Sequence, residues 1–484
     1  MGFCQTVTAG TTPHKIYLAG QWADSPDELV VVSPATGEEV GRTYLATPDQ
    51  YEAAVQAAER AFEVTRKLPS YERGRLLREL SAKVAEHRDE LAELIVAEAG
   101  KPVRDARVEV DRASLVFRLG AEEAERMHGE VIPLDLMPSS KERVGITRRF
   151  PIGPIAGISP FNFPLNLAVH KLAPAIASGN PIVLKPASKD PLVMLRLAEF
   201  IEQVGTPEGA VSILPMTREM GDRMVADDRF KLLTFTGSPA VGWRMKTRAG
   251  KKKVVLELGG NAGLIVDKTA NLDWAVRRAV TGSFAYAGQT CISVQRVFVH
   301  EDVWDAFMGR FTAAAADLKV GDPLDPTTDV GPMVDEANAR RTQEWVDEAV
   351  AMGGRLLLGG KAQGTYFPPT IMTEVPFTAR VCSSEAFAPI VVAFKFSSMD
   401  EAIRRVNDSD FGLQTGVFTA DIGEAWKAFN ELEVGGVIIN DIPSYRIDHM
   451  PYGGVKDSGQ GREGLRWSIE DMTELRIMVL AWPQ

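Results

Sequence analysis

The segment Phe284-Ala-Tyr-Ala-Gly-Gln-Thr-Cys291-Ile-Ser-Val294 carries the strongest signal in this chain. It places a single thiol in a turn of small residues, directly before a β-branched run. Upstream, Leu256-Glu257-Leu-Gly-Gly260 places a carboxylate after an apolar strand and before two glycines that allow close backbone approach. A thiol can attack a carbonyl carbon, and a carboxylate can activate the water that later releases the product. We therefore predict that Cys291 and Glu257 meet in one site, which their spacing alone does not show.

Composition narrows the class of protein. A chain of 484 residues is too long for one core and predicts two or three domains. The net charge of -11 argues against a nucleic-acid partner, since phosphate binding needs a basic face. No apolar run approaches the ~20 residues that span a bilayer, and the N-terminus lacks the apolar core of a signal peptide. We expect a cytoplasmic protein without a membrane partner.

The cysteines and histidines add little further chemistry. Cys4, Cys291 and Cys382 form no close pairs, which predicts no disulfide framework and a reducing compartment. Gly2 and Cys4 fit a loose lipidation pattern that often matches by chance, so we expect a disordered tail without a lipid. The six histidines lack metal-ligand spacing, and we predict no metal site.

Strands and helices alternate through most of the chain, which predicts parallel sheets with helical crossovers. The first α/β block runs from Pro154 to Leu256, and the second from Asn261 to Tyr452. Before these blocks, helical apolar spacing predicts helices over Pro48–Arg66, Ser70–Glu98 and Asp105–Ala124.

Two β elements have no place in either block. Short alternating runs between His128 and Phe150 predict a protruding hairpin. The terminal segment Glu474–Leu480 reads as an isolated apolar strand without a local partner. Such a strand usually joins another sheet, and we expect it to cross towards another subunit.

The segments around Cys291 and Glu257, with others along nearly the whole chain, resemble the signatures of the NAD(P)-dependent aldehyde dehydrogenase superfamily. The resemblance implies an α/β fold with two parallel-sheet, Rossmann-like domains and a small β oligomerisation element. It implies a dinucleotide-binding domain over residues 1–124 and 148–259 and a catalytic domain over 260–458. The hairpin and terminal strand, residues 125–147 and 470–484, would extend a neighbour's sheet. We expect a homodimer or homotetramer.

The resemblance also implies a mechanism. The Cys291 thiolate would attack the aldehyde, and the oxyanion would rest on the Cys291 N–H and the side chain of Asn162, which lies in Ser159-Pro-Phe-Asn-Phe-Pro164. A hydride would then pass to nicotinamide. Glu257 would activate the water that cleaves the thioester. Members that release acyl-CoA generally lack this glutamate, so its presence favours a free acid.

The cofactor residues are implied in the same way, as NAD or NADP contacts. No Gly-x-Gly-x-x-Gly of the usual dinucleotide fold follows the first strand, but Phe235-Thr-Gly-Ser-Pro-Ala-Val-Gly242 resembles the family's phosphate loop. Many NAD-preferring members carry a glutamate where Ser188 stands, and serine would not repel a 2′-phosphate, so NADP should be tolerated. Pro451-Tyr-Gly-Gly454 begins a further Gly-rich signature, for which we expect a structural role. The cofactor-binding candidates are Lys185, Ser188, Gly237, Ser238, Glu385, Phe387, Pro160 and Phe161.

The substrate is indicated only by class. Tyr286 stands where most members have asparagine, and the segments ending at Asp441 and Pro451 resemble the lactaldehyde and hydroxyaldehyde branch. A mixture of apolar walls with a few polar groups would suit a small aliphatic or hydroxylated aldehyde. Succinic-semialdehyde members of the family carry an arginine where His170 stands, and phosphonate-specific members differ around Phe163 and Thr290, which weakens anionic substrates without excluding them. The substrate-binding candidates are His170, Phe163, Thr290, Ile292, Tyr445 and Arg446, with Val116, Phe117 and Leu167 in the tunnel walls.

Two alternatives remain open from the sequence. A CoA-acylating semialdehyde dehydrogenase would use the same thiol, and Glu257 is the feature against it. A structural or NAD-binding protein without enzymatic activity is possible because a fold does not fix a function. The full set of site residues argues against this second alternative.

Overall fold

The computed structural model describes residues 12–482 of the chain. The lipidation pattern at Gly2 and Cys4 therefore lies outside the described residues. Within them, no helix is both long enough and apolar enough to cross a membrane.

The helices begin and end at recognisable local signals. In the first helix, the Thr47 hydroxyl accepts from the Gln50 N–H, and the Gln50 side chain accepts from the Thr47 N–H, which is a capping box. The helices are α1 Pro48–Thr65, α2 Ser70–Glu86, α3 Arg88–Ala99, α4 Val103–Arg126, α5 Asn166–Ser178, α6 Leu192–Gln203, α7 Arg218–Ala226, α8 Pro239–Arg248, α9 Leu272–Phe284, α10 Trp304–Ala316, α11 Glu336–Ala351, α12 Arg380–Ser383, α13 Met399–Asn407, α14 Ile422–Glu431 and α15 Leu465–Asp471.

The strands are short, as in most α/β proteins. They are β1 Ile16–Leu18, β2 Gln21–Ala23, β3 Glu28–Val32, β4 Glu39–Tyr44, β5 Val131–Pro133, β6 Arg143–Pro151, β7 Ile155–Ile158, β8 Ile182–Lys185, β9 Val211–Ile213, β10 Leu232–Thr236, β11 Lys253–Glu257, β12 Ala262–Val266, β13 Val294–His300, β14 Arg355–Leu358, β15 Thr370–Thr373, β16 Ile390–Phe396, β17 Phe411–Gly412, β18 Gln414–Phe418, β19 Gly436–Ile439, β20 Val455–Lys456, β21 Gly459–Gln460 and β22 Thr473–Ala481.

Two large sheets organise the molecule, and the predicted α/β class is confirmed. The first sheet has the order β2-β1-β9-β8-β7-β10-β11-β21, and its strands from β9 to β11 are parallel. The second has the order β14-β15-β16-β13-β12-β18-β19 and is parallel from β15 to β19. The chain passes from the first sheet to the second between Glu257 and Ala262. The predicted domain boundaries stay a proposal.

A third, three-stranded sheet contains both of the predicted β elements. The hairpin between β5 and β6 forms as expected. The terminal strand β22, however, pairs antiparallel with β6 of the same chain, from Thr473 opposite Pro151 to Ala481 opposite Arg143. The strand joins another sheet, as expected, but that sheet belongs to its own chain, and its contact with another subunit stays a prediction. Its partner lies more than three hundred residues away in sequence, where local patterns give no signal.

Two helix predictions need correction. The predicted helix Ser70–Glu98 is two helices, α2 and α3, which meet at His87 with φ -102° and ψ 27°. The His87 ring nitrogen Nδ1 lies 3.0 Å from the Lys83 carbonyl oxygen, at the end of α2. Helix α7 was not predicted, although the Thr217 hydroxyl caps it by accepting from the Met220 N–H.

Candidate active site

The turn before Cys291 has an uncommon backbone conformation. Tyr286, Ala287 and Gly288 follow α9 with φ of 48°, 51° and 67°. A bulky residue with positive φ is strained and persists only where its surroundings hold it. The Tyr286 hydroxyl donates to the Ala99 carbonyl oxygen at 3.1 Å, and its ring meets Phe163 edge-on at 6.3 Å. Tyr286 thus fixes the turn that carries the nucleophile.

A cavity of about 230 Å³ lies beside this turn, and many of the residues named in the sequence analysis line it. Those that line it are Cys291, Asn162, Phe163, Leu167, Thr290, Ile292, Tyr286 and Arg446.

Four predicted substrate or tunnel residues lie elsewhere. His170 is 2% exposed, and its Nε2 lies 2.9 Å from an Asp448 carboxylate oxygen, so the ring is occupied by a structural contact. Val116 and Phe117 are fully buried in the core beside the first sheet. Tyr445 is 43% exposed and does not line the cavity. Tertiary packing, which the sequence pattern does not reveal, decides these placements.

The Cys291 thiol lies at the cavity wall beside a phenol. Its Sγ is 3.0 Å from the Tyr452 hydroxyl oxygen. Burial raises the pKa of the Cys291 thiol to about 12, while the hydrogen bond between the thiol and Tyr452 opposes that rise. Burial therefore disfavours the thiolate, and any group that stabilises the thiolate bears directly on its reactivity.

Glu257 is a buried carboxyl without a partner. It ends β11, is 3% exposed, and neither carboxyl oxygen has a hydrogen-bond partner within the described chain. Burial and then the charge of Glu463 raise its pKa well above the ordinary value. Glu257 does not line the cavity, but its charge also raises the pKa of Cys291, after the larger effects of burial and Glu385. A carboxyl of this kind can take a proton near neutral pH.

A network of charged side chains, Glu463, Arg446 and Lys171, acts on the pKa of Glu257. The Lys171 ammonium lies 3.2 Å from one Glu463 oxygen, and the Arg446 guanidinium 3.1 Å from the other. These cations, with His170, overcome the effect of burial and hold the pKa of Glu463 below its ordinary range. Glu463 therefore stays charged and disfavours charge on Glu257.

The Gly-rich segment after Pro451 contributes more than the structural turn that its pattern predicted. Strand β21 pairs with β11, which sets Gly459 opposite Glu257. A Cβ on Gly453 would lie 2.9 Å from a Glu257 oxygen, so a side chain there would crowd the carboxyl. The same segment places Tyr452 against Cys291. It thus shapes the surroundings of both reactive groups.

Asn162 lies beside the nucleophile's turn. It is 4% exposed, and its side-chain amide donates to the Gln289 carbonyl oxygen at 3.0 Å. An amide nitrogen carries two hydrogens, so one remains for another acceptor. Because Asn162 lines the same cavity as Cys291, that hydrogen is available to a charge developing on a bound molecule.

The adenine side of the predicted cofactor site holds a buried cation. Lys185 is 8% exposed, donates to the Pro186 carbonyl oxygen at 3.3 Å, and makes no ion pair with a described carboxylate. Burial, followed by the charge of Arg218, lowers its pKa to about 8. Ser188, three residues on, is exposed. A buried lysine without an anionic partner fits hydroxyl or phosphate groups of a dinucleotide.

The residues predicted to bind the phosphates and the nicotinamide of the cofactor also suit those groups. Ser238 begins α8 without capping it through its side chain, which leaves helix N–H groups for an anion. The Gly237 N–H donates to the Glu257 carbonyl oxygen at 3.0 Å, joining this loop to the carboxyl's strand. Glu385 accepts from the Gly260 N–H at 3.0 Å, and burial raises its pKa to about 7. Phe387 packs edge-on against Phe161 at 5.8 Å, and Pro160 precedes that ring.

Several polar cavity residues were missed from sequence. Arg112 and Arg278 line the cavity, on α4 and α9. So do Asn166, whose amide atoms both lack partners although it is fully buried, and Ser444, whose hydroxyl also lacks one. No motif marks these residues. Their position follows from how the helices pack.

Comparisons with known proteins identify the relatives of the chain. The model of the family described as "Aldehyde dehydrogenase family" matches residues 22–478. The 3-sulfolactaldehyde dehydrogenase of Priestia aryabhattai is 43% identical over 468 residues, which cover 96% of this chain and 98% of the relative.

Two solved structures share the fold. Aldehyde dehydrogenase 21 from Physcomitrella patens, in complex with its reaction product succinate, has a TM-score of 0.96 and 45% identity, covering 97% of this chain and 99% of that chain. A glyceraldehyde-3-phosphate dehydrogenase from Methanocaldococcus jannaschii, complexed with NADP, has a TM-score of 0.91 and 39% identity, covering 95% and 100%.

Proposed function

Because this chain belongs to the aldehyde dehydrogenase family, we propose that it oxidises a small aldehyde to the carboxylic acid through a thioester on Cys291. The observation that carries the proposal is the convergence of three groups. The Cys291 thiol and the Asn162 amide line one cavity, and the segment Tyr452-Gly453 contacts the thiol through Tyr452 and lies beside the unpartnered Glu257 carboxyl at Gly453.

Each group has one task in the proposed mechanism. Cys291 attacks the carbonyl carbon as a thiolate. The Asn162 side chain and the Cys291 N–H then donate to the oxyanion. In its carboxylate form, Glu257 takes a proton from the water that cleaves the thioester. The nicotinamide cofactor, when bound, supplies the hydride acceptor.

We propose NAD or NADP as the cofactor. Lys185 and the N-terminus of α8 would hold the adenine ribose and the phosphates, and Glu385 with Phe387 would hold the nicotinamide end. Ser188 carries no charge against a 2′-phosphate, so NADP is accepted. The NADP complex of the Methanocaldococcus enzyme supports this proposal.

The cavity favours an aldehyde that carries an anion. Four cationic side chains line it, those of Arg112, Arg278, Arg446 and Lys101, beside the carboxyl groups of Asp105 and Glu109, of which Glu109 pairs with Lys101. Each also pairs with a carboxylate; the Arg446 Nε–H makes no hydrogen bond with a described residue, although Nε lies 4.0 Å from an Asp448 carboxylate oxygen. The names of two relatives, which refer to sulfolactaldehyde and succinate, agree with this charge. We therefore propose an aldehyde with an anionic group, a class that the sequence comparison weakened without excluding it.

Unsatisfied polar atoms in the cavity add a preference for hydroxyl groups. Asn166 offers a buried amide with both atoms free, and Ser444 offers a free hydroxyl. Leaving buried polar groups unpaired costs about 1–3 kcal/mol each; these atoms have almost no accessible surface, so a substrate hydroxyl relieves that cost when the side chains rotate towards the cavity. We propose a short hydroxyaldehyde with a terminal sulfonate, carboxylate or phosphate.

A substrate panel tests this proposal. The purified enzyme is assayed with propanal, lactaldehyde, succinic semialdehyde and 3-sulfolactaldehyde, each with NAD and with NADP, by following absorbance of the reduced cofactor. We expect the anionic hydroxyaldehyde to give the highest kcat/KM. Equal kcat/KM for propanal would contradict the anion assignment, and acyl-CoA formation upon addition of CoA would favour the CoA-acylating alternative.

We also propose a homo-oligomer, dimer or tetramer. Strand β22 has an unpaired edge within residues 12–482, and Leu475, Ile477 and Val479 on it are 58%, 49% and 53% exposed. Strand β19 ends the second sheet with a similar free edge. Exposed apolar edges favour pairing with another chain. In this proposal β22 stays paired with β6 of its own chain and extends a neighbour's sheet.

A cytoplasmic location remains a prediction.

A further inference from the structure

Tyr452 hydrogen-bonds with the thiol of the proposed nucleophile, and the mechanism above gives it no role. Its hydroxyl oxygen lies 3.0 Å from Cys291 Sγ and makes no other hydrogen bond within the described residues. The residue is 3% exposed, so water does not readily compete for the contact. We propose that Tyr452 is a catalytic residue that donates its hydroxyl hydrogen to the Cys291 sulfur and stabilises the thiolate. This inference rests on the proposed role of Cys291.

The backbone around Tyr452 holds the phenol in place. Tyr452 and Glu463 form an antiparallel bridge, in which each N–H donates to the other's carbonyl oxygen at 3.0 and 2.6 Å. The ring packs with Ile292 and Leu413 in a small apolar cluster that Cys291 joins. The hydroxyl is thus presented to the sulfur by a fixed frame, as preorganised catalysis requires.

The direction of the hydrogen bond follows from the charges nearby. The Arg446 guanidinium lies over the Tyr452 ring, with its central carbon 3.8 Å from the ring centroid. Burial, followed by the charge of the thiolate, raises the pKa of Tyr452 well above its ordinary value, so the phenol keeps its proton. The same contact lowers the pKa of Cys291 against the effect of burial. Once the sulfur is ionised, the protonated phenol can only be the donor.

Alkylation of the thiol tests the inference without relying on turnover. Wild-type enzyme and Tyr452→Phe are treated with iodoacetamide from about pH 7 to pH 10, and the adduct on the Cys291 peptide is quantified by mass spectrometry. A hydrogen bond to a charged group shifts a pKa by roughly one unit or more, so the variant should react about tenfold more slowly at each pH. Tyr71→Phe, which removes an exposed hydroxyl, is the matched control and should react like wild type.

A second variant separates the donor from mere packing. We expect 3,5-difluorotyrosine at position 452, a more acidic phenol of similar shape, to speed alkylation of Cys291, which altered access alone would not do. Thermal unfolding and NADP binding check that both variants fold. A folded Tyr452→Phe that alkylates at the wild-type rate would overturn the inference while leaving Cys291 as nucleophile. If Tyr452→Phe does not fold, an unchanged rate in the fluorinated variant overturns it.

Discussion

Replacing Arg112 with methionine should weaken oxidation of anionic aldehydes selectively. The Arg112 Nε and Nη2 atoms hydrogen-bond to Asp448 at 3.1 and 2.6 Å, which leaves its other N–H groups free of acceptors within the described chain. The side chain is 24% exposed and lines the cavity. A hydrogen bond to a charged group contributes about 1.5–3 kcal/mol. Partial exposure favours the lower end, so we expect kcat/KM for 3-sulfolactaldehyde to fall roughly tenfold. Loss of Arg112 also leaves Asp448 less neutralised, which adds repulsion of an anion.

The assay compares an anionic with a neutral aldehyde in each variant. For lactaldehyde, kcat/KM should change by less than about twofold, because this neutral aldehyde has no anionic group for Arg112 to bind. Arg118→Met is the matched control, because Arg118 is exposed on the same helix and does not line the cavity. An equal fall for both aldehydes would show that Arg112 supports the structure rather than the anion, and no fall for either would remove it from the substrate site.

Three further predictions follow from the site and the sheets. Glu257→Gln should keep the first burst of reduced cofactor but turn over about 10²–10⁴-fold more slowly in stopped-flow assays. In wild type, turnover should rise with pH through the raised pKa of Glu257, because only the carboxylate accepts a proton from water, and the variant should lose this rise. Ser188→Glu should raise the KM for NADP about tenfold or more and leave the KM for NAD nearly unchanged. An unchanged KM for NADP would show that another residue governs the preference between NAD and NADP. Deleting the residues after Met472 removes β22 and uncovers β6, so light scattering should show aggregated or monomeric protein; a native-size, fully active oligomer would refute the assembly.

Local patterns predicted most of the fold. The alternation of strands and helices gave the two parallel sheets, because each element carries its own periodicity and end signals. The break at His87 and helix α7 were missed, since a single break inside an apolar pattern and a nine-residue helix leave weak traces. The pairing of β22 with β6 could not be predicted from local sequence, because it depends on contact between distant segments.

The candidate site also combines residues that motifs predicted with residues that only tertiary packing places there. Cys291, Glu257 and Asn162 were predicted because each lies in a short, specific motif. Arg112 and Asn166 were missed because only the packing of their helices turns them to the cavity. The prediction for His170 did not anticipate Asp448, which occupies the ring.

The central claim is that oxidation passes through an acyl group on Cys291. The most direct measurement is to mix Glu257→Gln with aldehyde and NADP, quench with acid within seconds, and map the mass increase by peptide mass spectrometry. The account predicts a stoichiometric acyl adduct on the Cys291 peptide, which disappears in the double variant with Cys291→Ala. Reduced cofactor forming in a burst without any adduct on Cys291, or with the adduct on Cys382, would contradict it.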